Sequence, residues 1–240
     1  MSIKKYKNLN RHMLNESVAD FSCSLEGGAI VVDLGAGSGH YRSAFKRNRY
    51  YAIDMGLEQS GFKGLDLVGD ICRLPFKASS IDHVLCIEIL EHIYDFERFM
   101  NGVGEVLKPG GKMLLTVPLG LGVHMAPYDY HRLTRFGIEK MAEKCGFNIL
   151  KIEARGGYFT FMAYHLRAFP VNILGKRPGF AGKLLKSLLN PFFGYLLPFF
   201  VSQLDKIQKH EHTTLGYICI LENGRSNEYA AERSKAGGLS

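Results

Sequence analysis

Paired cysteines are missing from this sequence. Its five cysteines, Cys23, Cys72, Cys86, Cys145 and Cys219, are isolated, and none forms a CxxC pair. That spacing gives no disulfide framework and no zinc signal, and it fits a reducing cytoplasm. No apolar core follows the basic, polar start from Met1 to Arg11, so a secretion signal is not expected. No internal repeat is visible. Acidic residues are absent from Ala154 to Leu204, a stretch that holds Arg155, Arg167, Lys176, Arg177, Lys183 and Lys186. Those six account for nearly all of the net charge of +7, because the rest of the chain has 24 basic residues against 23 acidic. A local basic segment on a neutral domain suggests a local anionic partner.

What is present suffices for a folded core. With 240 residues, 46% hydrophobic and 22% charged, the chain fits one large domain or a domain with an insertion, and global disorder is excluded. Apolar, β-branched runs at Ala29–Leu34, Tyr50–Ile53, Leu65–Val68, Asp82–Ile87, Lys112–Val117, Phe147–Ile152 and Leu215–Leu221 read as seven strands. A helix can begin at Tyr41–Lys46. Tyr94–Leu107 has helical spacing and is ended by Lys108-Pro109-Gly110-Gly111, and Thr134 caps a helix that runs to Lys144. Buried strands alternating with helices imply an α/β, doubly wound, mostly parallel sheet, whose ligands sit beyond the carboxyl ends of the strands. The expected organisation is a helical lead-in (1–28), a core (29–153), a basic apolar insertion (154–210), a final core strand (211–223) and a disordered tail (224–240).

The strand ends carry the chemistry. Val31-Val32-Asp33-Leu34-Gly35-Ala36-Gly37-Ser38-Gly39 is a glycine-rich strand-to-helix corner. Its pattern is GxGxG, with His40 where a dinucleotide fingerprint has its third glycine. Asp33 would repel a pyrophosphate and would suit a cationic ligand such as a methionine amino group. Asp54 closes the second strand, about 20 positions on, where a carboxylate can take a ribose diol. Gly69-Asp70-Ile71 closes the third, where Asp70 can accept from an adenine amino group and Ile71 can pack on the ring.

These motifs, the segment Ser80–Ile93 with its Glu88-Ile89-Leu90-Glu91-His92, and the Leu107–Leu115 landmark together resemble the Rossmann-like class I methyltransferases, in particular the type 11 family. The resemblance covers about half of the chain. It implies a seven-stranded sheet with an antiparallel last strand and S-adenosyl-L-methionine as cofactor. It also implies cofactor contacts at Asp33, Gly35, Ala36, Gly37, Gly39, Asp54, Met55, Asp70, Ile71, Glu88 and Ile89, with Tyr41 as a further candidate. The acceptor is expected beyond the fifth strand, where a polar loop holds His124 and Pro127–Arg132. Asp129 and His131 lead as proton-handling residues, ahead of His124 and His92. Asp129 also reads as a local ion-pair partner of Arg132, and His92 as a helix-start residue. His210-Glu211-His212 reads as a solvated strand entrance, and no metal is expected.

The insertion holds eleven aromatics between Tyr158 and Leu204, and Ser187–Leu204 is an uncharged run of eighteen. A single span is not expected, because the flanking strands share a sheet and Asn190, Pro191 and Pro198 break a continuous helix. The expected form is a shallow or re-entrant segment on an anionic membrane surface, with the protein cytoplasmic and peripheral on the inner face. The acceptor is then lipid-linked, glycan or otherwise envelope-related, with O-methylation favoured. Alternatives are a soluble small-molecule enzyme whose insertion is a lid or homodimer contact, and a non-catalytic cofactor-binding protein. Nucleic acid is not expected as a partner, because the segment is too continuously apolar for a basic groove with spaced stacking residues.

Overall fold

The apolar runs at the centre of the chain's sheet become strands because they can bury both faces. Val31, Val32, Leu34, Leu85, Cys86, Leu114 and Leu115 are all buried in the central strands. In the computed structural model, which describes residues 8–56, 62–175, 179–205 and 213–225, seven strands form one sheet. They are β1 (Ile30–Leu34), β2 (Arg49–Asp54), β3 (Leu67–Val68), β4 (Ile81–Ile87), β5 (Leu107–Pro118), β6 (Phe147–Ala154) and β7 (Gly216–Asn223). Their order is β3-β2-β1-β4-β5-β7-β6. The first five are parallel, with Asp33 level with Ala52 on one side and Leu85 on the other. The β5-β7-β6 edge is antiparallel. Strand order reverses beside β1, so the switch point where ligands bind in such sheets falls between β1 and β4.

The chain divides into two compact units, one of Ser17–Pro118, Gly122–Glu153 and Tyr217–Ser240, the other of Met1–Glu16, Leu119–Leu121 and Ala154–Gly216. The helices are α1 (Leu9–Ser24), α2 (Phe96–Val106), α3 (Arg135–Lys144), α4 (Tyr158–Leu166), α5 (Phe169–Leu174), α6 (Phe180–Pro191) and α7 (Leu197–Leu204). The helix expected from Tyr94 starts two residues later, because Asp95 caps it by accepting from Arg98 N at 3.0 Å. Thr134 caps α3 as expected, accepting from Gly137 N at 3.2 Å. The Lys108–Gly111 motif does end α2. It is also an excursion within β5, since Ile81 pairs with Leu107 and His83 already pairs with Lys112.

The helix expected at Tyr41–Lys46 is only one 3-10 turn, Arg42–Phe45. The chain must return the length of a strand, roughly 17–20 Å, in the nine residues between Gly39 and Arg49. Nine α-helical residues climb only about 13–14 Å. Arg49 N already bonds to Ala29 O at 2.9 Å, so no further residues are free for a helix.

Pro191 and Pro198 do not break the insertion helix. Helical structure runs unbroken from Phe180 through Leu204, with a π turn at Phe192–Leu196 between α6 and α7. Pro191 has no N–H and its ring crowds the preceding turn, and widening to π spacing accommodates it. Pro198 sits in the first turn of α7. Phe180–Val201 is long and apolar enough to cross a membrane, and only 6% of its apolar window is buried in protein. Arg155, counted with the basic segment, is fully buried and so offers no charge to an anionic surface. Lys176, Arg177, His210-Glu211-His212 and nearly all of the tail lie outside the described residues.

Asp205, just after α7, closes this unit. Its carboxylate accepts from Gly157 N (3.1 Å), Phe159 N (2.9 Å) and Thr160 N (2.8 Å), which are the otherwise unpaired amides at the start of α4. Asp205→Ala is expected to cost about 2 kcal/mol locally. The readout is amide exchange, with faster exchange at Phe159 and Thr160 and little change in β1 or β4.

Candidate active site

Four strand ends converge on the loop after β1. Gly35, Gly37 and Gly39 all have positive φ (74°, 55° and 68°). A Cβ on Gly35 would lie 2.3 Å from Ile89 Cδ1, and one on Gly39 would lie 2.7 Å from Gly64 O. Gly35 N and Ala36 N donate to Ile53 O at 2.9 and 3.0 Å. Gly37 N donates to Asp54 Oδ2 at 2.9 Å, and Gly69 N to Asp54 O at 3.0 Å. The loop after β1 is thus tied to the ends of β2, β3 and β4.

The amides of Gly35, Ala36, Gly37 and Gly39 all have protein acceptors, the last donating to Ala36 O at 2.9 Å. A pyrophosphate would have to displace them, so the loop suits a ligand without phosphate. Around it stand acceptors. Asp54 also takes Gly56 N (2.9 Å), and Asp70 takes Cys72 N (2.8 Å) in a local turn. Met55 is exposed, Ile71 is half-buried, and Tyr41 is buried beside His40. This donor set fits a ligand with an ammonium, a ribose diol and an exocyclic amine.

Asp33 is buried, and its carboxylate accepts from the Tyr50 hydroxyl. Burial pushes its pKa up to about 7, against the lowering effect of that hydrogen bond. The same burial, with the neighbouring Asp33 charge, drives the Tyr50 phenol far up. Glu88 stands at the end of β4 with φ 55°. A non-glycine residue holds that conformation only when its surroundings fix it. Here Glu88 N reaches Thr116 O (3.2 Å) and Thr116 Oγ1 (3.0 Å), and Thr116 Oγ1 donates back to Glu88 Oε1 at 3.2 Å.

The loop after β5 folds onto the residues after β4. Tyr130 N donates to Glu91 O at 2.8 Å, and His92 Nδ1 lies 2.5 Å from Tyr128 O. His92 Nε2 and His124 Nε2 are 3.1 Å apart, and Glu91 Oε1 is 3.8 and 3.6 Å from them. Asp129 makes the ion pair with Arg132, accepting from both guanidinium nitrogens at 2.5 and 2.7 Å, and also takes His124 N at 2.9 Å. Arg132 holds the Asp129 carboxyl well below the usual range, so Asp129 orients the loop and is a poor base. His131 Nε2 lies 3.1 Å from Tyr94 O, and its ring packs edge-on against Phe96. The structure therefore joins His92 to His124 and gives Asp129 and His131 other partners. Glu91, Thr116 and Tyr50 are site residues that the sequence reading missed. The Glu91-His92 adjacency was the available signal for the first.

Residues 32–115 match the family described as methyltransferase domain. Within this segment the chain is similar to the class I S-adenosylmethionine-dependent methyltransferases. The cofactor that this similarity implies is S-adenosyl-L-methionine, and the acidic strand ends described above fit it. The domain is 31% identical over 91 residues to the uncharacterized protein MJ0638 of Methanocaldococcus jannaschii, covering 37% of this chain and 40% of the relative. It is 36% identical over 101 residues to phthiotriol/phenolphthiotriol dimycocerosates methyltransferase 1 of Mycobacterium ulcerans, covering 37% of each. The chain thus spans less than half the length of these curated relatives. In fold it is similar to phosphoethanolamine N-methyltransferase 2 of Haemonchus contortus, solved with S-adenosyl-L-methionine (TM-score 0.55, 19% identity, 89% of this chain and 52% of that one).

Asp33 makes the methyltransferase domain sensitive to pH. Its pKa is raised on folding, so the folded state holds a proton that the unfolded state loses between about pH 4 and 7. Stability from this group is present at low pH and falls as pH rises through that window, by up to about 4 kcal/mol. Asp33→Asn should flatten this slope, so that the difference in Tm between variant and wild type grows from pH 4 to 8.

Proposed function

We propose that this protein transfers a methyl group from S-adenosyl-L-methionine to an oxygen of a lipid-linked, glycan or other envelope-related acceptor at a membrane surface. The observation that carries the membrane part is the uncovered helix Phe180–Val201. Phe180, Leu184, Leu188, Phe192, Leu196, Phe200 and Leu204 are all exposed at four-residue spacing, Phe180 by 88% and Leu188 by 68%. A row of large apolar side chains in water is unfavourable by roughly 1.5–3 kcal/mol for each that could be buried. A single crossing would put β6 and β7 on opposite sides of a bilayer, yet both belong to one sheet. An interfacial or re-entrant placement satisfies both facts, with Lys183 and Lys186 toward lipid phosphates. The isolated, unpaired cysteines support a cytoplasmic placement on the inner face. The Mycobacterium ulcerans relative, named for phthiotriol and phenolphthiotriol dimycocerosates, is consistent with an acceptor of this kind.

When bound, the cofactor supplies an electrophilic methyl on a sulfonium. The residues here do the rest. Asp54, Asp70 and Ile71 hold the nucleoside end, and Asp33 with the glycine loop receives the amino-acid end. Glu88 and Ile89 flank the methyl-bearing region. The Glu91–His92–His124 cluster meets the acceptor's nucleophilic group. Alignment of the reacting atoms carries most of the rate effect.

Two measurements test this. Calorimetry should show S-adenosyl-L-methionine binding in the micromolar range, about 8 kcal/mol, weakened at least tenfold in Asp54→Ala. A folded wild type that binds none would overturn the cofactor sites. In flotation assays with vesicles rich in phosphatidylglycerol, the wild type should bind, and Leu184→Asp with Leu188→Asp should not. A stable dimer that ignores such vesicles would instead favour a soluble enzyme whose insertion joins two copies.

A further inference from the structure

Three electron-rich atoms face one another beside the acceptor side of the sheet. His92 Nδ1 points at a main-chain carbonyl, Tyr128 O at 2.5 Å, so that nitrogen carries the proton. His124 Nδ1 lies 3.3 Å from Gly122 O and 3.6 Å from Asp129 Oδ2, so it carries one too. Both Nε2 atoms therefore present lone pairs, and they approach to 3.1 Å. Glu91 Oε1 completes a triangle at 3.8 and 3.6 Å. Such a triangle needs positive charge at its centre. The point equidistant from its three corners lies about 2.0 Å from each, the length of a zinc–nitrogen or zinc–oxygen bond.

We propose that Glu91, His92 and His124 bind a divalent transition-metal ion of the zinc type. No metal is expected from the sequence alone, because His124 is far from Glu91-His92 along the chain and the loop brings it back. Two imidazoles and one carboxylate are a set that zinc accepts and magnesium, which prefers all-oxygen shells, does not. Each imidazole is oriented through its other nitrogen, by Tyr128 O for His92 and by Gly122 O with Asp129 for His124. That support is usual for metal-binding histidines. The carboxylate is buried (1% exposed), while His124 is 39% exposed, so the ion would be anchored from inside and open on the His124 side.

This deepens the methyltransferase reading by naming what the acceptor meets. An acceptor oxygen on the open position would lose its proton to water more readily. As its lone pair forms the C–O bond, the C–S bond breaks and its electron pair stays on sulfur. The acceptor class is then a hydroxyl whose oxygen takes the single open position.

Zinc titration by calorimetry, without any cofactor or acceptor, tests the site separately from catalysis. Zinc should bind at one ion per chain, with magnesium at least a hundredfold weaker. Glu91→Gln and His124→Ala should each weaken zinc at least tenfold. His124 lies on a half-exposed loop, and circular dichroism verifies that both variants stay folded. His131→Ala should leave zinc binding unchanged. Stoichiometric binding that survives Glu91→Gln and His124→Ala but is lost in His210→Ala with His212→Ala would overturn the proposal, as would no zinc binding at all. Loss of zinc binding with S-adenosyl-L-methionine binding intact separates this site from the cofactor site.

Discussion

The site depends on one close approach. Gly35 passes Ile89 at a distance where no side chain fits, and Gly39 does the same against Gly64. These contacts draw the loop after β1 against the ends of β2 and β4. Once there, Gly37 N finds Asp54 and the Gly35 and Ala36 amides find Ile53 O. The loop's hydrogen bonds are thereby satisfied inside the protein. What remains facing the ligand is a set of carboxylates, and that decides in favour of a cationic nucleoside over a phosphate-bearing one.

The same central strands store two unfavourable features. Asp33 is a buried carboxyl kept near neutrality by the absence of water, and Glu88 sits in a left-handed conformation. Both are held by neighbours on adjacent strands, Tyr50 and Thr116. Strain and a shifted carboxyl at the ends of adjacent strands are what a binding site, rather than a packing core, accumulates.

The insertion follows a different logic. It emerges between two neighbouring strands, and Asp205 ties its last helix to its first. The resulting unit has a helix that is apolar and uncovered.

The sequence by itself determined the sheet, the glycine loop and the acidic strand ends, because these are local patterns whose periodicity and spacing are written in consecutive residues. It also marked the capped start of α3 and the end of α2. The tertiary structure alone decided the rest. Whether Tyr41–Lys46 could be a helix depended on the distance back to β2, which no local propensity contains. Whether Pro191 ended a helix depended on a π turn five residues long. The roles of the polar loop were decided by a contact across more than thirty positions, as His124 closed on His92, and by a local one that took Asp129 for Arg132. Local sequence ranked Asp129 and His131 ahead of His124 and His92, and only folding determines which lone pairs meet.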